Sequence, residues 1–366
     1  MTQTLALLVD AYRDLNSKKL FWMTIHFSWL VVLIFLAIGI NDKGMTIFGW
    51  HLPMKADYNT HVVTPATFYR EAYYRIGVNV WLAAIATIIA LASTSGIFPD
   101  LLTGGSVELY ISTPISRLRL FLTKYLSGLL FVAMQVGVFT VASFIVMRFR
   151  VGEWMPKLFL AIPLVVLVYS YVHCVCVLLG VWSKSATTAL ILGIVFWLTI
   201  FAVQFLETEK YLSAMQKQQI VIKRLDREIK LGRPTAIVDK DKKVADMQAE
   251  KMENQQELAY QTKFHDAIYM IECVLPKAND TMALLRGNLI TSEEDKRAEG
   301  RLGDAESMAD PVAINSAGST SEDLRARSQM LRIVRSRSIA WSIGSSLIFE
   351  AVVVSIAACL FCRRDY

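Results

Sequence analysis

Six long apolar runs constrain this chain more than any other feature of its sequence. Each has about the length that a helix needs to cross the roughly 30 Å hydrocarbon core of a bilayer, which is about 20 residues. None contains Lys or Arg, and the one acid among them is Glu350. The runs are Leu20–Ile40, Ile76–Phe98, Tyr125–Met147, Leu158–Trp182, Ala186–Leu206 and Ile339–Cys362. The sequence therefore predicts an all-α, polytopic six-helix transmembrane bundle embedded in the lipid bilayer.

Composition supports this prediction. The 366-residue chain is 54% hydrophobic and only 19% charged, whereas a soluble domain is near 25% charged. The first run is too long and too rich in Trp and Phe for the apolar region of a secretory signal peptide, so we expect it to be a retained span. Four of the five cysteines lie within the runs, which is not the pattern of a disulfide framework.

Charge is distributed unevenly along the chain. The segment from Glu207 to Ser338 carries 22 basic and 22 acidic residues, so the whole net charge of +6 belongs to the rest of the chain. The basic balance thus reflects residues that flank the membrane, and we expect no nucleic-acid partner. With both termini on the cytoplasmic side, cytoplasmic pieces would carry nine Lys and Arg against seven in the two short outer loops. That bias is too weak to assign orientation.

The chain divides into four parts on these patterns. The predicted parts are an N-terminal amphipathic interfacial helix (1–19), spans one to five with a loop at 99–124 (20–206), an insertion (207–338), and the sixth span with a basic tail (339–366). Within the insertion, Lys, Glu, Gln, Met and Leu predict two helices, Glu207–Leu231 and Asp239–Leu275, separated by a break at Gly232–Pro234. Their polar heptads favour an antiparallel helical hairpin over 207–275. Residues 291–328 contain few large apolar side chains, so we expect a flexible linker there.

Motifs of the common enzyme classes are absent. The sequence contains no GxxxxGK[ST] phosphate loop and no HExxH, GxSxG or CxxC motif. We therefore expect no catalysis by this chain, and any ATP chemistry would belong to another chain. His173, Cys174 and Cys176 suggest a metal site, but cysteines two residues apart on a helix point about 200° apart. Ordinary packing is the favoured interpretation.

Glu350 falls in the middle of the sixth run, where an acid costs roughly 2.5 to 3.5 kcal/mol on insertion scales. Such a residue faces the bundle interior or a cavity. One interpretation is a proton or cation site, or a contact along a substrate path. The other is a neutral glutamic acid hydrogen-bonded within the membrane to another span, or to Ser342, Ser345 or Ser346.

The loop at 99–124 holds too many apolar residues for a solvated linker and too many breaks for a span. Its string GIFPDLLTGGSVELYISTPISRLRLFLTKYLSGLLFV closely resembles the loop of type-2 ATP-binding-cassette (ABC) permeases, particularly the copper-enzyme-maturation branch. VLPKAND and the final span with its FCRRDY tail resemble two further segments of that family. The matching positions in the loop are Pro99, Gly105, Glu108, Pro114, Ile115, Ser116, Arg117, Lys124 and Tyr125.

The resemblance implies that the loop is a coupling element that fits a groove in a cytosolic ATPase subunit. Its apolar residues, including Leu101, Leu118 and Leu120, would fill the groove, and Arg117 with Glu108 would set the register. Both termini and the loop would be cytoplasmic, and the 207–338 insertion would be extracytoplasmic. ATP and Mg would bind to the ATPase and not to this chain.

The same resemblance implies a permease subunit of an exporter in the cell membrane, paired with a second permease copy in a homo- or heterodimer. Glu350 would be a candidate residue on the translocation path between the copies. A rival interpretation is a membrane-anchored assembly or docking factor that acts through the helical hairpin. The histidines are scattered, which argues against a membrane-embedded enzyme.

Overall fold

The computed structural model describes Arg13, residues 19–42, 44–51, 64–103 and 116–206, residues 219, 222 and 226, and residues 240–289 and 339–363. The described part is mostly helical. Three predictions fall largely outside it: the amphipathic helix over 1–19, the first arm of the hairpin and the linker over 291–328. The central part of the 99–124 loop, residues 104–115, also lies outside it.

Six helical segments are long and apolar enough to cross a membrane, as the sequence predicted. The second span is a composite of four consecutive helical pieces: α2, a π-helix, α3 and α4. The helices are α1 (Lys19–Ala37), α2 (Pro65–Ala72), the π-helix Tyr73–Ala86, α3 (Thr87–Thr94), α4 (Ile97–Thr103), α5 (Arg117–Val151), the 3₁₀ turn Pro156–Leu160, α6 (Ala161–Ser183), α7 (Ala186–Phe205), α8 (Lys240–Val274), α9 (Ala278–Leu289) and α10 (Ile339–Arg363).

Local capping explains where several spans begin and end. The Ser116 and Ser185 side chains accept hydrogen bonds from backbone amides in the first turns of α5 and α7, a favourable N-cap arrangement. Gly152 caps the C-terminus of α5, and its φ of 84° suits a residue without a Cβ. Lys184 caps the C-terminus of α6 in a left-handed conformation. The turn between α6 and α7 therefore has only two residues, Lys184 and Ser185.

The two ends of the bundle carry different connections. We call one the loop end: there α4 leads through residues 104–115 into α5, and α10 finishes. We call the other the insertion end: there α1 and α5 finish, and residues 207–338 connect α7 to α10. Two contacts fix this arrangement, since Arg117 at the start of α5 reaches Cys362 at the end of α10, and Arg150 at the end of α5 reaches Leu36.

α6 lies at the centre of the bundle. Its most apolar stretch is 67% buried, against 17% for α7 and 28% for α10. It packs against α5, α7, α9 and α10. Side chains of other spans that contact α6 therefore lie in the interior of the bundle.

A small antiparallel sheet departs from the all-α prediction. It follows α1 directly and consists of β1 (Ile38–Asn41), β2 (Gly44–Ile47) and β3 (Trp50–His51). Gly44 and Gly49 adopt positive φ values in its turns. The Tyr69 hydroxyl of α2 donates a 2.7 Å hydrogen bond to the Ile38 carbonyl. The connection that follows the first span is thus partly a β-ribbon held against α2.

The two described helices of the 207–338 segment, α8 and α9, differ in what they contact. Its second predicted helix forms as α8, and the Lys251 ammonium lies 2.7 Å from the Asp226 carboxylate. α9 instead packs against the bundle, with Met282, Leu285 and Leu289 buried. α9 therefore packs as part of the helical bundle, although it lies within the 207–338 segment.

Candidate functional site

Glu350 joins three spans near the middle of the bundle. The Tyr125 hydroxyl of α5 donates a 2.7 Å hydrogen bond to Oε1 of Glu350. The Ser170 hydroxyl of α6 donates a 2.8 Å hydrogen bond to Oε2. Both carboxylate oxygens therefore accept from neutral hydroxyl groups on other helices. We call these three residues the Glu350 cluster.

A second group of polar side chains connects the Glu350 cluster to α3. The ring of His173 lies between those of Tyr125 and Tyr169, with 5.2 Å between centroids on each side. The Tyr169 hydroxyl lies 3.4 Å from His173 Nδ1 and 2.7 Å from the Thr94 hydroxyl. Polar groups thus connect the second, third, fourth and sixth spans through a buried aromatic stack.

A glycine makes room for this stack. A Cβ on Gly128 of α5 would lie 2.6 Å from Nε2 of His173, closer than real side chains approach. The absence of a side chain there lets the imidazole press against the α5 backbone one turn beyond Tyr125. Gly128 consequently helps to hold Tyr125 and His173 in their stacked positions.

The serines proposed as partners of Glu350 make other contacts. Ser346 Oγ accepts a 2.8 Å hydrogen bond from the Lys277 backbone amide. Ser345 accepts one of 3.0 Å from the Lys277 ammonium. Ser342 donates one of 3.1 Å to the Asp280 carboxylate. All three serines therefore bind α9 or the residue before it. Glu350 is instead hydrogen-bonded to side chains of other spans, which was the other expectation for its partners.

Together these bonds form a polar joint at the insertion end. Lys277 is only 1% exposed, and its ammonium also lies 5.1 Å from the centroid of the Trp341 ring. From α7, Gln204 donates a 2.8 Å hydrogen bond to the Pro276 carbonyl and accepts one of 2.9 Å from the Asn279 amide. Sequence reasoning missed this joint, although its signal was a lone Gln in the fifth run and three of the four serines in the sixth.

The loop end contains the predicted coupling residues that the structure describes. Pro99 is buried in α4, and a Cβ on Gly180 of α6 would lie 3.3 Å from its Cδ. Leu101 and Leu120 are also buried in the core, so these two leucines do not form part of a surface that a partner could contact. Leu118 is exposed. Gly105, Glu108, Pro114 and Ile115 lie outside the described residues.

The start of α5 carries the other predicted residues. Ser116 caps the helix, and the Arg117 guanidinium donates a 3.1 Å hydrogen bond to the Cys362 carbonyl in the last turn of α10. A cation at this position also interacts favourably with the helix dipole. Lys124 is half-buried two turns into α5. Arg117 therefore links the loop directly to the last span.

Three aromatic rings pack beside this link. Phe98 of α4, Phe121 of α5 and Phe361 of α10 have pairwise centroid distances of 5.0, 6.1 and 5.7 Å. All three side chains are buried. This aromatic cluster fixes the ends of three spans on both sides of the 104–115 connection.

The thiols of the fourth span are explained by packing. Cys174 Sγ lies 3.1 Å from the Tyr171 carbonyl, and Cys176 Sγ lies 3.5 Å from the Ala189 carbonyl on α7. The two thiols thus point toward different neighbours, as their spacing on a helix predicts. Within the described ranges, no group of three or more His, Cys, Asp and Glu side chains is arranged to hold a metal ion.

Comparison of the chain with protein-family models, with curated proteins and with solved structures finds no match. The functional interpretation therefore depends on the motif in the loop and on the geometry of the Glu350 cluster and of the loop end.

Proposed function

We propose that this chain is the permease subunit of an ABC exporter, which couples ATP hydrolysis by a separate ATPase subunit to movement of cargo across a membrane. The observation that carries the proposal is the way the permease-like loop is mounted. Its two flanks, α4 and the start of α5, are clamped to each other and to α10 by Phe98, Phe121 and Phe361. A force applied to the loop would therefore reach three spans at once.

The path from the loop to the membrane interior is short and continuous. α5 runs unbroken from Arg117 through Tyr125, and eight residues of helix span about 12 Å. Tyr125 holds Glu350 of α10, while Arg117 holds the end of the same α10 helix. A tilt of α5 would move both contacts together, which would convert a push on the loop into a displacement at the Glu350 cluster.

The proposal includes a defined arrangement in the cell membrane. The termini and the loop face the cytoplasm, the insertion faces the other side, and two permease copies enclose the translocation path. ATP and Mg bind to the ATPase, and the permease supplies no catalytic residue. Ile115, Ser116, Arg117 and Lys124 are the residues of the loop that we assign to ATPase contact, together with Gly105, Glu108 and Pro114; Pro99 supports the loop from inside the core.

The direct test is affinity purification of the tagged full chain from its native membranes in mild detergent. We expect an ABC ATPase to be recovered with it. Ile115→Asp should abolish recovery, because it places a charge in the predicted contact. Phe48→Asp is the matched control: Phe48 is an exposed apolar residue in the β2–β3 turn at the insertion end, with a φ of 50° that Asp tolerates.

Two outcomes would contradict the proposal. One is the reproducible absence of an ABC ATPase from preparations that contain the intact chain. The other is equal recovery with the wild type and with Ile115→Asp. Arg117 is a poor choice for this test, because its substitution also disturbs the end of α10.

A docking role for the insertion is the second candidate. One observation favours it: α8 exposes large apolar side chains along much of its length, and the exposed residues are Met252, Tyr260, Phe264, Tyr269, Met270, Ile271 and Val274. Exposed apolar surface of this kind commonly marks a contact with a protein or a membrane.

The test of the docking role is a photo-crosslinking amino acid at Tyr260 in native membranes. A docking factor would give a discrete protein adduct that persists when Ile115→Asp has removed the ATPase. Adducts with lipid alone would contradict it. The same amino acid at Glu257, one turn earlier on α8, is the control for proximity.

A further inference from the structure

The Glu350 cluster contains an acid inside the bundle. Among the described residues, no cationic side chain lies beside this acid. Its two oxygens accept from Tyr125 and Ser170, which are neutral donors. Among the described residues, no Lys, Arg or His side chain lies within ion-pair distance of Glu350. This differs from the insertion end, where Lys277 and Asp280 lie within one turn of each other. The Glu350 carboxyl group is therefore the part of the cluster that can supply a negative charge to a bound cation.

Glu350 lies at a partly exposed edge of α10. The side chain is half-buried at the edge of the helix face that packs on α6. Leu347, one turn away toward the open side, is 44% exposed, and the adjacent Ala351 is exposed. A ligand could approach the carboxylate from this edge without displacing a core side chain.

The surroundings of that edge are apolar. Phe349 stacks on Phe196 of α7, with 6.0 Å between ring centroids. Val354, one turn beyond Glu350, packs against the core, and Val352 is exposed. A molecule that contacts this surface and Glu350 together must combine a large apolar body with a positive charge. A small hydrated ion would lack the apolar contacts.

The number of ligands also decides between classes of cation. One carboxylate and two hydroxyls present one negative charge and few oxygens. A divalent ion such as Ca²⁺ takes six to eight oxygen ligands, and Mg²⁺ requires a near-ideal octahedron. A monovalent organic cation needs only charge neutralisation and apolar contact, because its charge is spread over a hydrophobic frame.

We propose that Glu350 binds the positively charged group of a hydrophobic organic cation, and that such cations are the class of molecule this chain moves. The assignment as cargo depends on the proposed permease function, whereas the binding itself does not. The carboxylate provides the opposite charge midway across the membrane, where an unaccompanied cation is least stable. Tyr125 and Ser170 position the carboxylate, and Tyr125 connects it to the helix that starts at the loop.

The test is equilibrium binding of tetraphenylphosphonium to the purified full chain in lipid nanodiscs, with partition into empty nanodiscs subtracted. We expect saturable binding to the wild type, and a loss of affinity of at least tenfold in Glu350→Gln. Tetraphenylborate, an anion of the same size and shape, should not compete. Glu153→Gln is the matched control: it removes a carboxylate from an exposed position in the α5–α6 connection, with its side chain 67% exposed, and should bind as the wild type does.

A second measurement uses the wild type alone, in case Glu350→Gln does not fold. A hydrophobic carbodiimide should modify Glu350, and mass spectrometry of the α10 peptide should show slower modification with tetraphenylphosphonium present but not with tetraphenylborate. Absent saturable binding, equal binding by Glu350→Gln, or equal protection by the anion would each overturn the inference. None of these assays contains an ATPase, so failure to recover one would count against the permease proposal alone.

Discussion

The two ends of this bundle are held together by different chemistry. At the loop end, three aromatic rings and one arginine join α4, α5 and α10. At the insertion end, hydrogen bonds donated by Lys277 and Gln204 and one accepted by Asp280 attach α9 and the residues before it to α7 and α10. The first is an apolar clamp between spans, and the second is a polar joint to an added segment.

This difference predicts different mechanical behaviour. Buried ring contacts are close-packed, and close-packed groups have low compressibility and transmit strain to one another. A hydrogen bond is directional and is either made or broken within a few tenths of an ångström. The loop end should therefore move as a rigid unit, while the insertion end should open by releasing α9. Substitutions at the two ends and between them test that contrast.

Removing a ring from the loop end should give the largest loss of stability. Phe361→Ala deletes a buried side chain that contacts both Phe98 and Phe121, and such truncations cost about 3 kcal/mol or more. We expect a clear drop in the thermal midpoint in nanodiscs. Phe149→Ala is the control, because Phe149 is 79% exposed near the end of α5. Equal midpoints for the two variants would show that the ring cluster is not a clamp.

A methyl group at Gly128 should disturb the region between the two ends. Gly128→Ala places a Cβ against Nε2 of His173, and overpacking of this kind costs about 1 to 3 kcal/mol. The displaced imidazole should also shift Tyr125 away from Glu350. Gly137→Ala on the same helix has no atom within 4 Å of its new Cβ and should be neutral. We would compare thermal midpoints and tetraphenylphosphonium binding; no difference between the two variants would contradict the stacked arrangement.

Release of the polar joint should act locally and leave the loop end in place. Lys277→Met removes the hydrogen bond to Ser345 and the cation–π contact with Trp341, together worth about 1 to 2 kcal/mol. We expect faster thiol labelling of a cysteine placed at the buried Leu285, in a chain lacking its native cysteines. Lys157→Met, at an exposed lysine in the 3₁₀ turn, is the control. Faster labelling at a cysteine placed at Phe98 as well would remove the contrast between the ends.

The smallest effect is expected at the link between loop and last span. Arg117→Gln weakens the bond to the Cys362 carbonyl and removes a charge near the α10 C-terminus, worth about 0.3 to 1 kcal/mol at such sites. Amide exchange in the last turn of α10 should quicken, with little change in thermal midpoint. Arg119→Gln, which lies in the same turn of α5, tests whether charge alone is responsible. Unchanged exchange would mean that Arg117 does not anchor α10.

The spans were predictable because membrane insertion selects composition over a whole helix. Runs such as Ala186–Leu206 needed no tertiary information, and α7 forms over Ala186–Phe205. The β-ribbon was missed because its strands are two to four residues long, too short for a pattern of alternation to stand out. Its glycines, Gly44 and Gly49, were the local signal.

The site was only partly predictable, because its contacts join residues far apart in sequence. Glu350 stood out as an acid in an apolar run, yet its partners lie 225 and 180 residues away. The serines of α10 were nearer in sequence, but they point to α9. Lys277 and Asp280 resemble the polar insertion in composition, so only the packing of α9 reveals that they belong to the bundle.

The unequal lengths of the spans have a consequence of their own. α1 has 19 residues and α5 has 35, which correspond to about 28 Å and about 52 Å of helix. Only the first matches the thickness of a bilayer core. A span of this length fixes the depth of the protein in the bilayer, whereas α5 must tilt or project beyond the hydrocarbon. Bilayer thickness should therefore set the inclination of α5, and the lipid composition would become a control on the position of the loop that α5 begins from.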